Sequence, residues 1–247
     1  MAPRPIITLL SDFGTADAYV AEMKAAILTH CPEAILVDVT HAIPRHDITA
    51  GSFAMERAIA AFPPGTIHVA VVDPGDGSAR KLIVATIRGQ FVFAPDNGLI
   101  TWAVRRHGCE ATEELVWRPP NVGNTFQGRD ILAPAAAMTG AGTIAENALQ
   151  PLGPVMMLPI KPATTLAEAQ VLAIDGFGNV ITNVPGDLVK IGQRLGGRAT
   201  VARTFADAPP RTAVAYVGSS GLVELAINGD SAAKKFRLKV GQKLKIQ

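Results

Sequence analysis

The sequence predicts two domains: an α/β N-terminal domain with a mainly parallel sheet covered by helices, and a small all-β C-terminal barrel-like domain. Three observations lead there. The first 150 residues alternate short apolar runs with segments at helical spacing, the pattern of a parallel sheet covered on both faces. Beyond residue 168, short β-rich runs are separated by Gly, Asn and Asp turns. Between these regions Pro151, Pro154, Pro159 and Pro162 punctuate an apolar stretch, which suits an extended connector. The expected domains are 1–155 and 168–247, with 156–167 as linker.

In order, Ile6 to Leu10 reads as a buried strand closed by a Ser-Asp-Phe-Gly turn. Asp17 to His30 carries Val20, Met23, Ile27 and Leu28 at helical spacing and stops before Pro32. Ile35 to Val39 is strand-like, Ile48 to Phe62 a helix stopped by Pro63-Pro64-Gly65, and Ile67 to Val72 a third buried strand. Leu82 to Ile87 and Phe91 to Ala94 form an expected hairpin. Helices near Leu99–Arg106 and Ile131–Met138 complete the unit, with Asp130 expected to cap the second. Seven short strands are expected afterwards: 171–174, 180–184, 199–202, 213–217, 223–227, 235–240 and 243–246.

Composition narrows the function. With 48% hydrophobic residues the chain of 247 is long enough to bury a core and too apolar to be disordered. A net charge of +2 and 5% aromatic residues give neither the basic footprint nor the stacking platform of a nucleic-acid binder. No apolar run approaches the roughly 18 residues that span a bilayer, and the stretch before Ser11 is too short for a secretory signal. Two cysteines, Cys31 and Cys109, fit a reducing compartment rather than a disulfide scaffold. A cytoplasmic protein is expected.

Ligands of open α/β sheets bind beyond the carboxyl ends of the strands. Three loops at such ends carry acids: Ser11-Asp12-Phe13-Gly14, Asp38-Val39-Thr40-His41 and Asp73-Pro74-Gly75-Asp76-Gly77. Each alone is explained by the preference of Asp and Gly for turns. Together they repel unless a metal, a diol or a cationic substrate lies between them. Competing motifs fail: Gly75 to Arg80 lacks the third glycine of a dinucleotide fingerprint, and Gly218-Ser219-Ser220-Gly221 lacks the nucleophile-elbow spacing. No two histidines stand four apart on a helix. His41 and His46 lie near Asp38 and Asp47, so a metal-dependent phosphoesterase using Asp12, Asp38, His41 and Asp73 is an alternative. His30, His68 and His107 are expected at the surface or at strand edges.

A further constellation joins Asp73, Arg80 and the stretch from Asn124 to Asp130. Arg80 follows Asp73 by seven residues across a Gly-rich turn that can fold back. An aspartate beside a guanidinium stays ionised and oriented, and the pair can hold a water molecule. A loop-fixing salt bridge satisfies the same spacing.

Five motifs in order then carry a resemblance: Ser11 to Val20; Val72-Asp73-Pro74-Gly75 with Arg80; Ala94 to Leu99; Thr125 to Asp130; and Asp175 to Asn179 with Thr182-Asn183. The chain resembles the S-adenosyl-L-methionine (SAM) hydroxide adenosyltransferases, or SAM hydrolases, relatives of the fluorinases and chlorinases. The resemblance implies SAM as substrate, adenosine and L-methionine as products, and no cofactor or metal. It implies a homotrimer whose sites lie between the N-terminal domain of one subunit and the C-terminal domain of its neighbour. It gives Asp12 the ribose hydroxyls, brings Asp17 near the methionine amino group, and sets Phe126 against the nucleoside. Asp175, Phe177, Asn179 and Ser219 fall on its C-terminal ligand-binding stretch. Its hydrolytic trio is Asp, Arg and His; Asp73 and Arg80 match, and Gln127 stands where the family has His. A Gln amide orients by hydrogen bonds and takes up no proton near neutral pH. The alternatives are therefore a non-catalytic SAM- or adenosine-binding protein and a halide-using variant. The halogenases lack the Asp-Arg pair.

Overall fold

A computed structural model describes residues 4–120, 123 and 125–246. The chain divides between Leu158 and Pro159 into two compact units. The first contains β1 (Ile6–Ser11), α1 (Tyr19–His30), β2 (Ile35–Thr40), α2 (Ile48–Ala61), β3 (Ile67–Val71), β4 (Leu82–Ile87), β5 (Gln90–Pro95), α3 (Thr101–His107), β6 (Ala111–Leu115), α4 (Ala133–Gly140) and β7 (Leu149–Pro151). Their strands form one sheet in the order β2-β1-β3-β5-β4-β6-β7.

The sheet is mixed rather than mainly parallel. β2, β1, β3 and β5 run parallel, whereas the β5–β4, β4–β6 and β6–β7 pairings are antiparallel. The cause is the two-residue turn Arg88–Gly89, with φ of 54° and 65°. Two positive-φ residues make the hairpin turn whose twist matches the flanking strands. β5 then pairs with β3, leaving the outer edge of β4 open to β6, on which β7 pairs in turn.

The central strands are buried on both faces, which is why they read as continuous apolar runs. Val69 and Val71 pack with Met23 and Ile27 of α1 and Ala135–Ala137 of α4. Ala70 and Val72 face the other way, toward Met55 and Ile59 of α2 and Ala103 of α3. α2 starts at Asp47, whose carboxylate accepts from Ala50 N at 2.9 Å. Inside it, a side chain at Gly51 would come within 3.0 Å of Leu99 and Val72, so glycine lets α2 approach the sheet beneath the strand ends.

The second unit contains β8 (Val171–Ile174), β9 (Val180–Pro185), β10 (Arg194–Leu195), β11 (Ala199–Val201), β12 (Ala213–Val217), β13 (Leu222–Ile227) and α5 (Ala232–Phe236). Its sheet runs β10-β11-β12-β13-β9-β8, antiparallel except for the β11–β12 pair. Two expected strands are absent. Residues 232–236 are helical because Ser231 caps them, its hydroxyl accepting from Lys234 N, and Ala232, Ala233 and Phe236 recur at helical spacing toward the core. In the last segment Lys243 makes only an isolated bridge to Gln170. Among the described residues, no helix is long and apolar enough to cross a membrane.

His68 corrects the expectation of a surface or strand-edge histidine. It is fully buried on β3, with Nδ1 2.6 Å from Thr8 Oγ1 and Nε2 2.7 Å from Gln90 Oε1. Burial lowers its pKa to about 4, against the opposing pull of the Gln90 bond. His107 is half-buried against Glu56, at 3.0 Å. Because the folded His68 pKa lies below the unfolded value, the unfolded chain binds the extra proton between pH 6.5 and 4. Stability is therefore full above pH 6.5 and is expected to fall by about 3 kcal/mol as the pH drops toward 4. Urea midpoints measured across that window check this, and His68→Gln should flatten the decline.

Candidate active site

Three parallel strands deliver their following loops to one edge of the first unit. Asp12 follows β1, and its Oδ2 accepts from His46 N at 2.8 Å. Asp38 and His41 take part in a structural chain. Lys24 Nζ donates to Asp38 Oδ2 (2.6 Å), Asp38 Oδ1 lies 3.1 Å from His41 Nε2, and His41 Nδ1 and buried Ser11 Oγ are hydrogen-bonded at 2.7 Å. Burial pushes the Asp38 carboxyl up, but the bonds from Lys24 and His41 outweigh it and hold the group below the usual range. His41 O also accepts from Gly14 N at 2.8 Å, so this chain fixes the Asp12-Phe13-Gly14 turn. Among the described residues, no three His, Cys, Asp or Glu side chains converge as a metal-holding group.

The loop after β3 folds back as its glycines allow, and Arg80 returns onto Asp73. Arg80 Nε donates to Asp73 Oδ1 and Oδ2 at 2.8 and 2.7 Å, and Nη2 pairs with Oδ2. Gly75 N donates to Asp73 Oδ1 at 3.1 Å. The side chains are 3% and 12% exposed, so both charges are largely out of water. Burial, followed by the Arg118 guanidinium nearby, lowers the Arg80 pKa; arginine nonetheless remains a cation. Its other donors reach across the fold: Nη1 to Gln127 Oε1 at 2.7 Å and Nη2 to Asp76 Oδ1 at 3.3 Å. The structure thus brings together Asp73, Arg80 and Gln127, 47 residues beyond the arginine.

Gln127 is held by unusual backbone. Phe126 has φ +66°, a region that a bulky residue enters only under constraint, at a cost of roughly 1–3 kcal/mol. Residues Gly128–Leu132 form a π-helical turn that runs into α4, with Ala133 N donating to Gly128 O. Asp130 is therefore inside the turn and does not cap a helix; its carboxylate accepts from Arg129 Nε and Nη2 at 2.6 and 3.0 Å. Bonds from Arg129 to Asp130 and Glu22 raise the arginine pKa, and its guanidinium stacks 4.8 Å from the Phe126 ring centre. Asn124, which opens the stretch singled out in the sequence, lies outside the described residues.

Phe13, Tyr19 and Phe126 meet edge to face, with ring centres 5.3–5.9 Å apart. With Val71, Asp73 and Asp76 they line a pocket of about 250 Å³. An apolar aromatic wall thus stands beside the carboxylate–guanidinium pair. Phe13, Tyr19 and Asp76 were missed in the sequence. Tyr19, the one aromatic residue of α1, was the signal available; Asp76 is named above among the acids of the strand-end loops but given no role of its own. Asp17 is exposed in the loop before α1.

The second unit carries its own pocket, of about 700 Å³, lined by Asp175, Phe177, Asn179, Phe205, Tyr216 and Lys234 among others. Asp175 Oδ1 accepts from Phe177 N (3.0 Å) and Asn179 N (2.8 Å), and Oδ2 accepts from Asn179 Nδ2 (2.8 Å). These bonds tie the β8–β9 turn. Phe177 is 84% exposed, not a core residue. Burial first, then Glu224, pushes the Tyr216 hydroxyl pKa up, so the phenol stays protonated. Ser219 does not join this pocket. It sits in the β12–β13 turn, at the end of the sheet where β9 finishes, whereas the Asp175 turn lies where β9 begins.

The fold and these features define a two-domain protein with a preorganised polar site at the strand ends of an α/β sheet and an aromatic pocket on a separate β domain. Residues 7–148 match the SAM hydroxide adenosyltransferase N-terminal domain, and residues 169–245 match the corresponding C-terminal domain. The chain belongs to the SAM hydroxide adenosyltransferase family. It is 36% identical to the (R)-S-adenosyl-L-methionine hydrolase of Salinispora arenicola, covering 100% of this chain and 99% of the relative. It is 38% identical to the protein of the same name from Thermus thermophilus, over 98% and 99%. A crystal structure of a conserved protein from Thermotoga maritima superposes with a TM-score of 0.90 at 32% identity, covering 97% and 99%.

Removing Arg80 alone would leave Asp73 buried without its counter-charge. Arg80→Ala is expected to destabilise the fold by about 3 kcal/mol, and Asp73→Leu with Arg80→Met by clearly less. Urea denaturation of the two variants checks this.

Proposed function

We propose that this protein hydrolyses SAM to adenosine and L-methionine by in-line attack of water or hydroxide on the ribose C5′. The observation that carries the reading is the buried Asp73–Arg80 pair with Gln127 on its far side, beside an aromatic pocket. The new bond joins the water oxygen to C5′. The C5′–S bond breaks, its electron pair neutralising the sulfonium and releasing methionine as a thioether. Opposite charges cancel when hydroxide meets a sulfonium, so a site that excludes water lowers the barrier. Arg80 favours the hydroxide form, and Asp73 orients the water and accepts its proton for passage to solvent. Gln127 takes no proton; its amide oxygen accepts from Arg80 and fixes the guanidinium.

In this reading Asp12, tethered by His46 N, accepts from the ribose hydroxyls, Asp17 faces the methionine amino group and Phe126 flanks the nucleoside. Asp175, Phe177 and Asn179 come from the neighbouring subunit of a homotrimer; Ser219, at the other end of its sheet, is not part of that group. The exposed Phe177 ring supports that assignment, because an aromatic face in water suits adenine stacking. The chemistry uses side chains alone, without a metal or cofactor. The free cysteines Cys31 and Cys109 fit a cytoplasmic setting.

Asp73→Asn and Arg80→Ala are expected to lower kcat by about 10²-fold or more, and Gln127→Ala only a few-fold. Gln127→His should add an inflection near pH 6.5 to the pH–rate profile. Incubation with SAM in oxygen-18 water, with a chelator present, should put label into adenosine. Binding without methionine release, a halogenated nucleoside formed in chloride, or activity lost to the chelator would each overturn the reading.

A further inference from the structure

Asp76 belongs to neither the hydrolytic trio nor any substrate-binding role assigned above, yet its carboxylate meets Arg80, Phe126 and Gln127. Its Oδ2 accepts from Phe126 N at 2.5 Å, and its Oδ1 lies 3.4 Å from Gln127 N and 3.3 Å from Arg80 Nη2. The two amides it receives are those of the residue at positive φ and of the next one along. Their side chains are an aromatic wall of the pocket and the amide that holds Arg80.

We infer that Asp76 is a positioning residue for hydrolysis: its carboxylate clamps the Phe126–Gln127 backbone, and through it sets the aim of both the Phe126 ring and the Arg80 guanidinium. The inference rests on the reading of the site as a SAM hydrolase. A short, charge-assisted bond from a backbone N–H to a carboxylate is among the stronger polar contacts a loop can make. Here it opposes the preference of a bulky residue for negative φ. Without it, Phe126 is free to relax, its ring leaves the contacts with Phe13 and Tyr19, and Gln127 turns off Arg80. Arg80 simultaneously loses one of its three partners. Asp76 is 32% exposed in its side chain, against 3% for Asp73, so it acts at the rim of the pair rather than as its buried charge.

A double-mutant cycle tests this on the full chain with SAM as substrate. Asp76→Ala should lower kcat/KM about tenfold or more, with both a fall in kcat and a rise in KM. Asp76→Asn, which keeps a carbonyl acceptor for Phe126 N, should lose less. Adding Gln127→Ala to Asp76→Ala should cost less than a further twofold, because the clamp and the amide act through one backbone segment. Losses that multiply, or an Asp76→Ala enzyme within twofold of the parent, would overturn the positioning role while leaving the hydrolase reading intact. Amide exchange at Phe126 and Gln127 supplies a readout independent of turnover. Exchange at least tenfold faster in Asp76→Ala supports the clamp, and unchanged exchange refutes it, whether or not the parent hydrolyses SAM.

Discussion

Two opposite charges withdrawn from water at the end of β3 organise the rest of the first unit. Neither Asp73 nor Arg80 is tolerable alone at that depth, because the solvation each has lost is replaced chiefly by the other. The pair therefore imposes requirements outward. Asp73 is anchored by the amide of Gly75, and Arg80 reaches Gln127 and Asp76 with its remaining donors. Asp76 in turn holds Phe126, whose ring closes a wall of the pocket. A line of dependence runs from a strand end to the start of α4 without a break.

Such a site is oriented before substrate arrives. The dipoles and charges that would meet a developing hydroxide are already bonded to one another, so little reorganisation remains for the reaction step. The aromatic wall sets apolar surface beside the pair, and charge interactions are stronger where such surface replaces water.

The parts of this arrangement written locally in the sequence were readable there. Buried central strands are continuous apolar runs, and the helices between them end at Pro32 and at Pro63-Pro64, so β1 to β3 and α1 to α2 follow from residue chemistry. β6 carries Glu113 and Glu114 and forms because the edge of β4 needs a partner, which no local pattern announces. β7, with three residues, is set in the same way. The lysines and Phe236 near 235 suggested a strand, but burial of Ala232 and Ala233 and the Ser231 cap make a helix. In the site, Asp73 and Arg80 stand close enough in sequence to be paired by spacing. Asp76 could not be separated from ordinary turn chemistry, since the amides it holds lie 50 and 51 residues away on backbone whose geometry is nonlocal. The positive φ of Phe126 leaves no mark in composition at all.

The π-helical turn at Gly128–Leu132 sets how far the site tolerates changes in length. A π turn holds one residue more than the α-helical path it interrupts. Deleting a single residue there would restore ordinary α spacing and keep the residues upstream in phase, whereas a deletion further along α4 would swing them by about 100° around its axis. A deletion of the second kind would carry Gln127 off the guanidinium while the helix itself survived. Deletions at the turn and deletions along α4 are thus very unequal events: the first remove a bulge, the second redirect the whole approach to Arg80.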